Sequence, residues 1–150
     1  VPAFTGLGAP YWKPDARGAI YGLSRSSGPA EISRAVLESI AYQCTDLLDA
    51  MKSDGQKPRI MRVDGGMTSN DWLMQFLSNI SETQIEKSIN TESTSYGVAL
   101  LAAIGAGLIS SLEKSSKNWK VKKYYQPQMS KNKIEKNRNG WQQAINKTIM

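Results

Sequence analysis

After Ser26-Ser27-Gly28-Pro29, apolar residues recur at helical spacing. Ile32, Val36, Ile40, Cys44, Leu48 and Met51, with Ala35, Ala41 and Leu47 beside them, fall on one stripe, the pattern of an amphipathic helix. Ser27 is the expected N-cap, Pro29 suits the first turn and Glu31 suits the positive helix end. Asp54-Gly55 ends the helix. Arg59 to Val63 predicts a short strand that runs straight into Asp64-Gly65-Gly66. A second helix follows from about Ser69 to Ile80, burying Leu73, Phe76, Leu77 and Ile80. Gln84 to Glu86 predicts another short strand, and Thr91 to Ser95 a polar turn. Residues 96–107, rich in Ala, Gly and Leu, predict a third helix whose small residues suit close packing. Upstream, 1–14 read as a Gly- and Pro-rich loop and 17–23 as a short strand. Downstream, 112–127 read as irregular or extended, and a last helix runs from about Ser130 to Thr148, with Ile134, Trp141 and Ile145 at packing spacing. Strands alternating with helices predict an α/β layered domain.

Composition narrows the class. Apolar residues make up 40% of 150, enough for a real core. The longest apolar stretch, Val98 to Ile109, is interrupted by Gly105 and Gly107, so no membrane span is expected. The chain starts at Val1 with no basic, apolar leader, which predicts a piece of a longer protein. The single cysteine, Cys44, sits on the first helix stripe and reads as a core residue in a reducing, cytoplasmic compartment. The chain has no histidine, which excludes Ser-His-Asp chemistry and most zinc sites.

Charge is distributed unevenly. Residues 1–111 hold 9 Lys+Arg against 11 Asp+Glu, a net −2, whereas 112–150 hold 10 against 2, a net +8. The expected organisation is therefore a single domain, 1–150, with a core over 1–111 and a basic tail over 112–150 that carries the final helix. Lys114, Lys117, Lys120, Lys122 and Lys123 form one basic cluster, and Lys131, Lys133, Lys136 and Arg138 another. Such runs are weak motifs. They read first as a solvated surface and only second as a nucleic-acid-binding face, on which Trp119, Tyr124, Tyr125 or Trp141 would stack bases.

The segment with chemical content is Val63-Asp64-Gly65-Gly66-Met67-Thr68-Ser69-Asn70. It puts two glycines at the C-terminal end of a strand and just before a helix, where open α/β sheets bind ligands. A glycine lets a ligand approach the backbone, and a helix start offers free N–H groups. The Asn70 carboxamide donates and accepts side by side, as a purine edge requires. The plainer alternative is a tight turn needing positive φ at one glycine, with Ser69 or Asn70 as an ordinary N-cap. Asp64, alone at its strand end, reads as a turn residue more readily than as a magnesium ligand.

Three segments taken together resemble the C-terminal domain of the FGGY family of carbohydrate kinases. They are Val1 through Trp12, ending Ala9-Pro10-Tyr11-Trp12; Gly18 to Leu23 with Glu31 to Glu38; and Arg62 to Gly66 continuing through Asn70 to Leu73-Met74-Gln75-Phe76. The resemblance implies an actin-like, ribonuclease-H-like ATPase fold that works as one of two domains around a cleft. Ala9-Pro10-Tyr11-Trp12 resembles the members that phosphorylate glycerol, with xylulose or gluconate as alternative substrates and a non-catalytic interaction module as a further alternative. The implied ligands are ATP or ADP with Mg2+, the metal held mainly by the other half, and glycerol in the cleft. The implied nucleotide-binding residues are Gly66 and Asn70, with Gly65 shaping the turn; Thr94 and Gly97 match a segment read as packing. The family's phosphate loop, substrate-binding residues and catalytic aspartate have no counterpart in this chain. The resemblance therefore implies that the chain is inactive alone, and that the longer protein forms homo-oligomers. Lys13 stands where the family often has an acidic residue.

Overall fold

A computed structural model describes residues 1–56, 58–90, 92–111 and 120–150. Helix α1 spans Pro29–Ser53, strand β1 Ile60–Val63, helix α2 Asp71–Ser81, strand β2 Gln84–Ser88, helix α3 Ser93–Gly105, strand β3 Val121–Tyr125 and helix α4 Lys131–Ile149. The three strands form one mixed sheet in the order β1-β2-β3. β1 runs parallel to β2, with Ile60 opposite Gln84 and Val63 opposite Lys87. β3 is antiparallel to β2, with Ile85 opposite Tyr125 and Lys87 opposite Lys123, and its register shifts between Lys87 and Ser88. Parallel strands need a crossover, here supplied by α2.

One core cluster joins the sheet to α1, α2 and α4. Leu73, Met74, Phe76, Leu77 and Ile80 of α2 pack with Ile85 of β2, Tyr125 of β3, Ala41 and Tyr42 of α1, and Trp141 and Ile145 of α4. Tyr42 stacks on Trp141 at 5.3 Å between ring centroids and meets Phe76 edge-on at 5.6 Å. The residues after 111 thus supply Tyr125, Ile134, Trp141 and Ile145 to the buried interior.

Four expectations change. Helix α1 is capped by Gly28, not Ser27, because Glu31 folds back to accept from the Gly28 N–H at 2.9 Å. The buried face of α1 is Ser39, Ala41, Tyr42, Thr45 and Leu48, while Ile32, Val36, Leu47 and Met51 are exposed. The aromatic contacts of Tyr42 set this rotation. Ser39 and Thr45 tolerate burial because their hydroxyls donate to the carbonyls of Val36 and Ala41 at 2.7 and 2.8 Å. No strand forms over 17–23: no described strand pairs with it, and Ile20 and Leu23 are 59% and 61% exposed. Helix α3 buries none of its residues, and a Cβ on Gly97 would meet nothing within 4 Å. Among the described residues, packing therefore accounts for neither Gly97 nor Thr94, and Thr94 is exposed. Within 112–127, residues 121–125 are strand, and 112–119 lie outside the described residues.

Candidate functional site

The parallel βαβ unit carries the glycine segment. β1 ends at Val63, and Gly65 turns the chain with φ +92°, a conformation open in practice only to glycine. A single 3-10 turn, Gly66–Ser69, follows. Its own hydroxyls close it: Thr68 Oγ1 donates to the Gly65 carbonyl at 2.7 Å, and Ser69 Oγ to the Gly66 carbonyl at 2.7 Å. Thr68 is buried, whereas Gly66 and Met67 stay exposed.

Asn70 is the N-cap of α2. Its Oδ1 accepts the Leu73 N–H at 3.0 Å, which fixes the carboxamide to the first turn of the helix. The amide Nδ2 makes no hydrogen bond among the described residues, so its two donors remain available. The N-cap alternative is the one observed, with the oxygen capping the helix and the nitrogen left unbonded among the described residues. Gly66 differs from Gly65. Its φ is not positive, and a Cβ built on it would meet nothing within 4 Å. The fold itself does not require glycine at this position.

Behind the turn stands an ionic cluster with little signal in local sequence. Asp71, the first residue of α2, accepts from Tyr125 Oη at 2.6 Å, Lys123 Nζ at 2.6 Å and Lys87 Nζ at 3.2 Å. These donors, Lys123 first, hold the Asp71 carboxyl well below its ordinary value of 3.8. An acid at a helix start is a familiar pattern, but its partners come from β2 and β3, 16 to 54 positions away. On the neighbouring face of α2, Trp72 stacks on Phe76 at 5.1 Å and receives the Arg34 guanidinium at 5.6 Å.

Other candidates do not add to this site. Asp64 is exposed, and among the described residues no three Asp, Glu or Cys side chains converge as a metal site. Among the described residues, magnesium thus has no ready-made carboxylate cage. Burial pushes the Cys44 thiol up, as suits an unreactive core cysteine. A cleft of about 420 Å³ lies between α1 and α4, but its carboxylates are already engaged: Asp46 by Tyr11 Oη and Trp141 Nε1, Asp49 by Lys52 and Arg138. Of the aromatics proposed to stack bases, Tyr125 and Trp141 are buried, Tyr124 is exposed and Trp119 lies outside the described residues. No described helix is long and apolar enough to cross a membrane.

Residues 1–106 match the FGGY family of carbohydrate kinases, C-terminal domain, and the chain belongs to that family. Its mixed sheet and flanking helices agree with the actin-like, ribonuclease-H-like architecture of that domain. Among particular relatives, the chain is 48% identical over 149 residues to glycerol kinase of Coxiella burnetii (strain Dugway 5J108-111), a match covering 99% of this chain and 30% of that protein. The crystal structure of Plasmodium falciparum glycerol kinase with ADP superposes with a TM-score of 0.83 at 38% identity, covering 100% of this chain and 30% of that one. Ligand-bound xylulose kinase from Lactobacillus acidophilus superposes at 0.71 with 27% identity, covering 95% and 28%. The chain spans about 30% of the length of the curated relatives it matches.

Proposed function

We propose that this chain is the nucleotide-binding half of an ATP-dependent kinase that converts glycerol to glycerol 3-phosphate. The observation that carries the reading is the pairing of Gly66, a glycine the fold does not need, with the open Nδ2 donors of Asn70 across one exposed turn. That turn admits a flat polar ring against bare backbone, and the amide offers donors to its edge. Adenine fits this description. Among the described residues no carboxylates gather there as a cage for Mg2+; on this reading the γ-phosphate, the metal and the attacking hydroxyl fall to another part of the longer protein. Phosphoryl transfer depends on positioning, and the share assigned to this chain is holding the adenosine end of ATP. Alone it is expected to transfer no phosphate.

Glycerol is preferred over xylulose because identity is 38% to the glycerol kinase structure and 27% to the xylulose kinase structure. The exposed apolar positions Ile20, Leu23, Val98 and Leu101 offer surface for a second domain to cover. A cytoplasmic location and homo-oligomerisation of the longer protein belong to the same reading.

The test is Asn70→Ser in the longer kinase, assayed for ADP release with glycerol, xylulose and gluconate. Serine caps a helix about as well as asparagine but lacks the amide. The expected outcome is activity on glycerol, with a KM for ATP raised about tenfold and that for glycerol unchanged. An unchanged KM for ATP removes Asn70 from the nucleotide site, and activity only on another substrate overturns glycerol.

A further inference from the structure

Resting on that reading, we infer that Asp71 is a positioning residue for the nucleotide turn, through which β3 sets the orientation of Asn70. Lys87 and Lys123 are directly opposite partners in the β2-β3 ladder. Like charges in that relation repel, and Lys87 is only 7% exposed. The pair sits at the place where the register shifts, between Lys87 and Ser88. Asp71 resolves the conflict. Its two oxygens take both ammonium groups and the Tyr125 hydroxyl, and Lys123 also lies 5.1 Å from the centroid of the Tyr125 ring.

The same aspartate is the residue next to Asn70 and begins α2. Three charge-assisted hydrogen bonds from two strands therefore fix the peptide unit that carries the cap. Charge-assisted bonds are short and directional, so the Asn70 carboxamide inherits its position from β2 and β3. Asn70's own contacts, to the Leu73 N–H through its side chain, the Met74 N–H through its carbonyl and the Met67 carbonyl through its own N–H, are all local, and none reaches the sheet. Without the clamp, that turn would move with the helix end.

The experiment titrates fluorescent ribose-labelled ADP into the longer kinase and its variants, with melting curves and the NMR signals of the Asn70 side-chain amide recorded on the same samples. Asp71→Asn is expected to weaken ADP binding about tenfold and to shift the Asn70 amide signals while the chain stays folded. Tyr125→Phe removes one donor without changing charge, and about threefold is expected. Asp71→Glu, which keeps the anion, should recover most of the affinity. ADP affinity that falls only in proportion to the unfolded fraction, or Asn70 signals that stay in place, overturns the positioning role. If Asn70→Ser weakens ADP binding and neither Asp71→Asn nor Tyr125→Phe does, the inference fails and the nucleotide reading stands. If the unaltered longer kinase does not bind ADP, both fail.

Discussion

Two adjacent glycines in this chain answer to different constraints. Gly65 holds φ +92°, and Gly66 holds no such angle and has open space where a Cβ would stand. Gly65→Ala is therefore expected to cost about 1–3 kcal/mol. Gly66→Ala is expected to leave the fold unharmed or raise its stability by about 0.4–1 kcal/mol through a less flexible unfolded chain. Thermal melts and ADP titration on the two variants check this. The prediction fails if Gly66→Ala destabilises the fold, or if it leaves ADP affinity intact. Titration offers a second comparison. Hydrogen bonds from Lys123, Tyr125 and Lys87 pull the Asp71 carboxyl below 3.8, whereas burial pushes that of Asp46 above it. Ionised Asp71 then contributes stability that is present above pH 3.8 and is lost as pH falls through its lower folded value. Ionised Asp46 works against the fold, and its protonation relieves that cost as pH falls through its raised value. Carboxyl-carbon NMR should show Asp46 titrating at higher pH than Asp71, and the reverse order would sink both assignments.

At the level of elements, α4 is held by its buried aromatic. Trp141 stacks on Tyr42 and donates through Nε1 to Asp46 at 2.7 Å. Trp141→Ala is expected to cost about 3–5 kcal/mol, measured by denaturant unfolding; a loss under 1 kcal/mol would show that α4 does not depend on this contact. That helix was legible in the sequence because Ile134, Trp141 and Ile145 keep one helical face. The stop of α1 at Asp54-Gly55 and the start of the Gly65 turn were legible for equally local reasons. The buried face of α1 was not. Its most apolar stripe and its buried stripe differ, since Val36 is 56% exposed while Ser39 and Thr45 are buried. Partners from outside the helix decide rotation, and periodicity within it cannot see them. β3 was legible only as part of an irregular or extended stretch: Val121-Lys122-Lys123-Tyr124-Tyr125 reads as a basic run, and pairing with β2 makes it a strand. In the candidate site, Gly65, Gly66 and Asn70 were visible within one short segment. The clamp on Asp71 was not, because its donors are distant in sequence.

For the whole molecule, the division between residues 1–111 and 112–150 is one of charge, net −2 against net +8, while the interior draws on both. Surface is divided differently. Val98 and Leu101 on α3 are exposed at 63% and 60%, so Leu101→Lys should change the stability of the chain by no more than about 0.5 kcal/mol. A loss above 2 kcal/mol in a denaturant titration would mean that α3 is covered in solution. The partition of the core between early and late sequence bears also on how the chain reaches this state. The hydrogen bond from Trp141 to Asp46 spans 95 positions, and that from Tyr125 to Asp71 spans 54. Contacts of such separation close large loops before they return any stabilisation, which slows folding. On a ribosome, α1, α2 and the first two strands emerge with their inner faces uncovered until the last helix follows. Nascent chains stalled before Trp141 clears the exit tunnel should be cut readily by protease, and those stalled beyond Met150 should resist it.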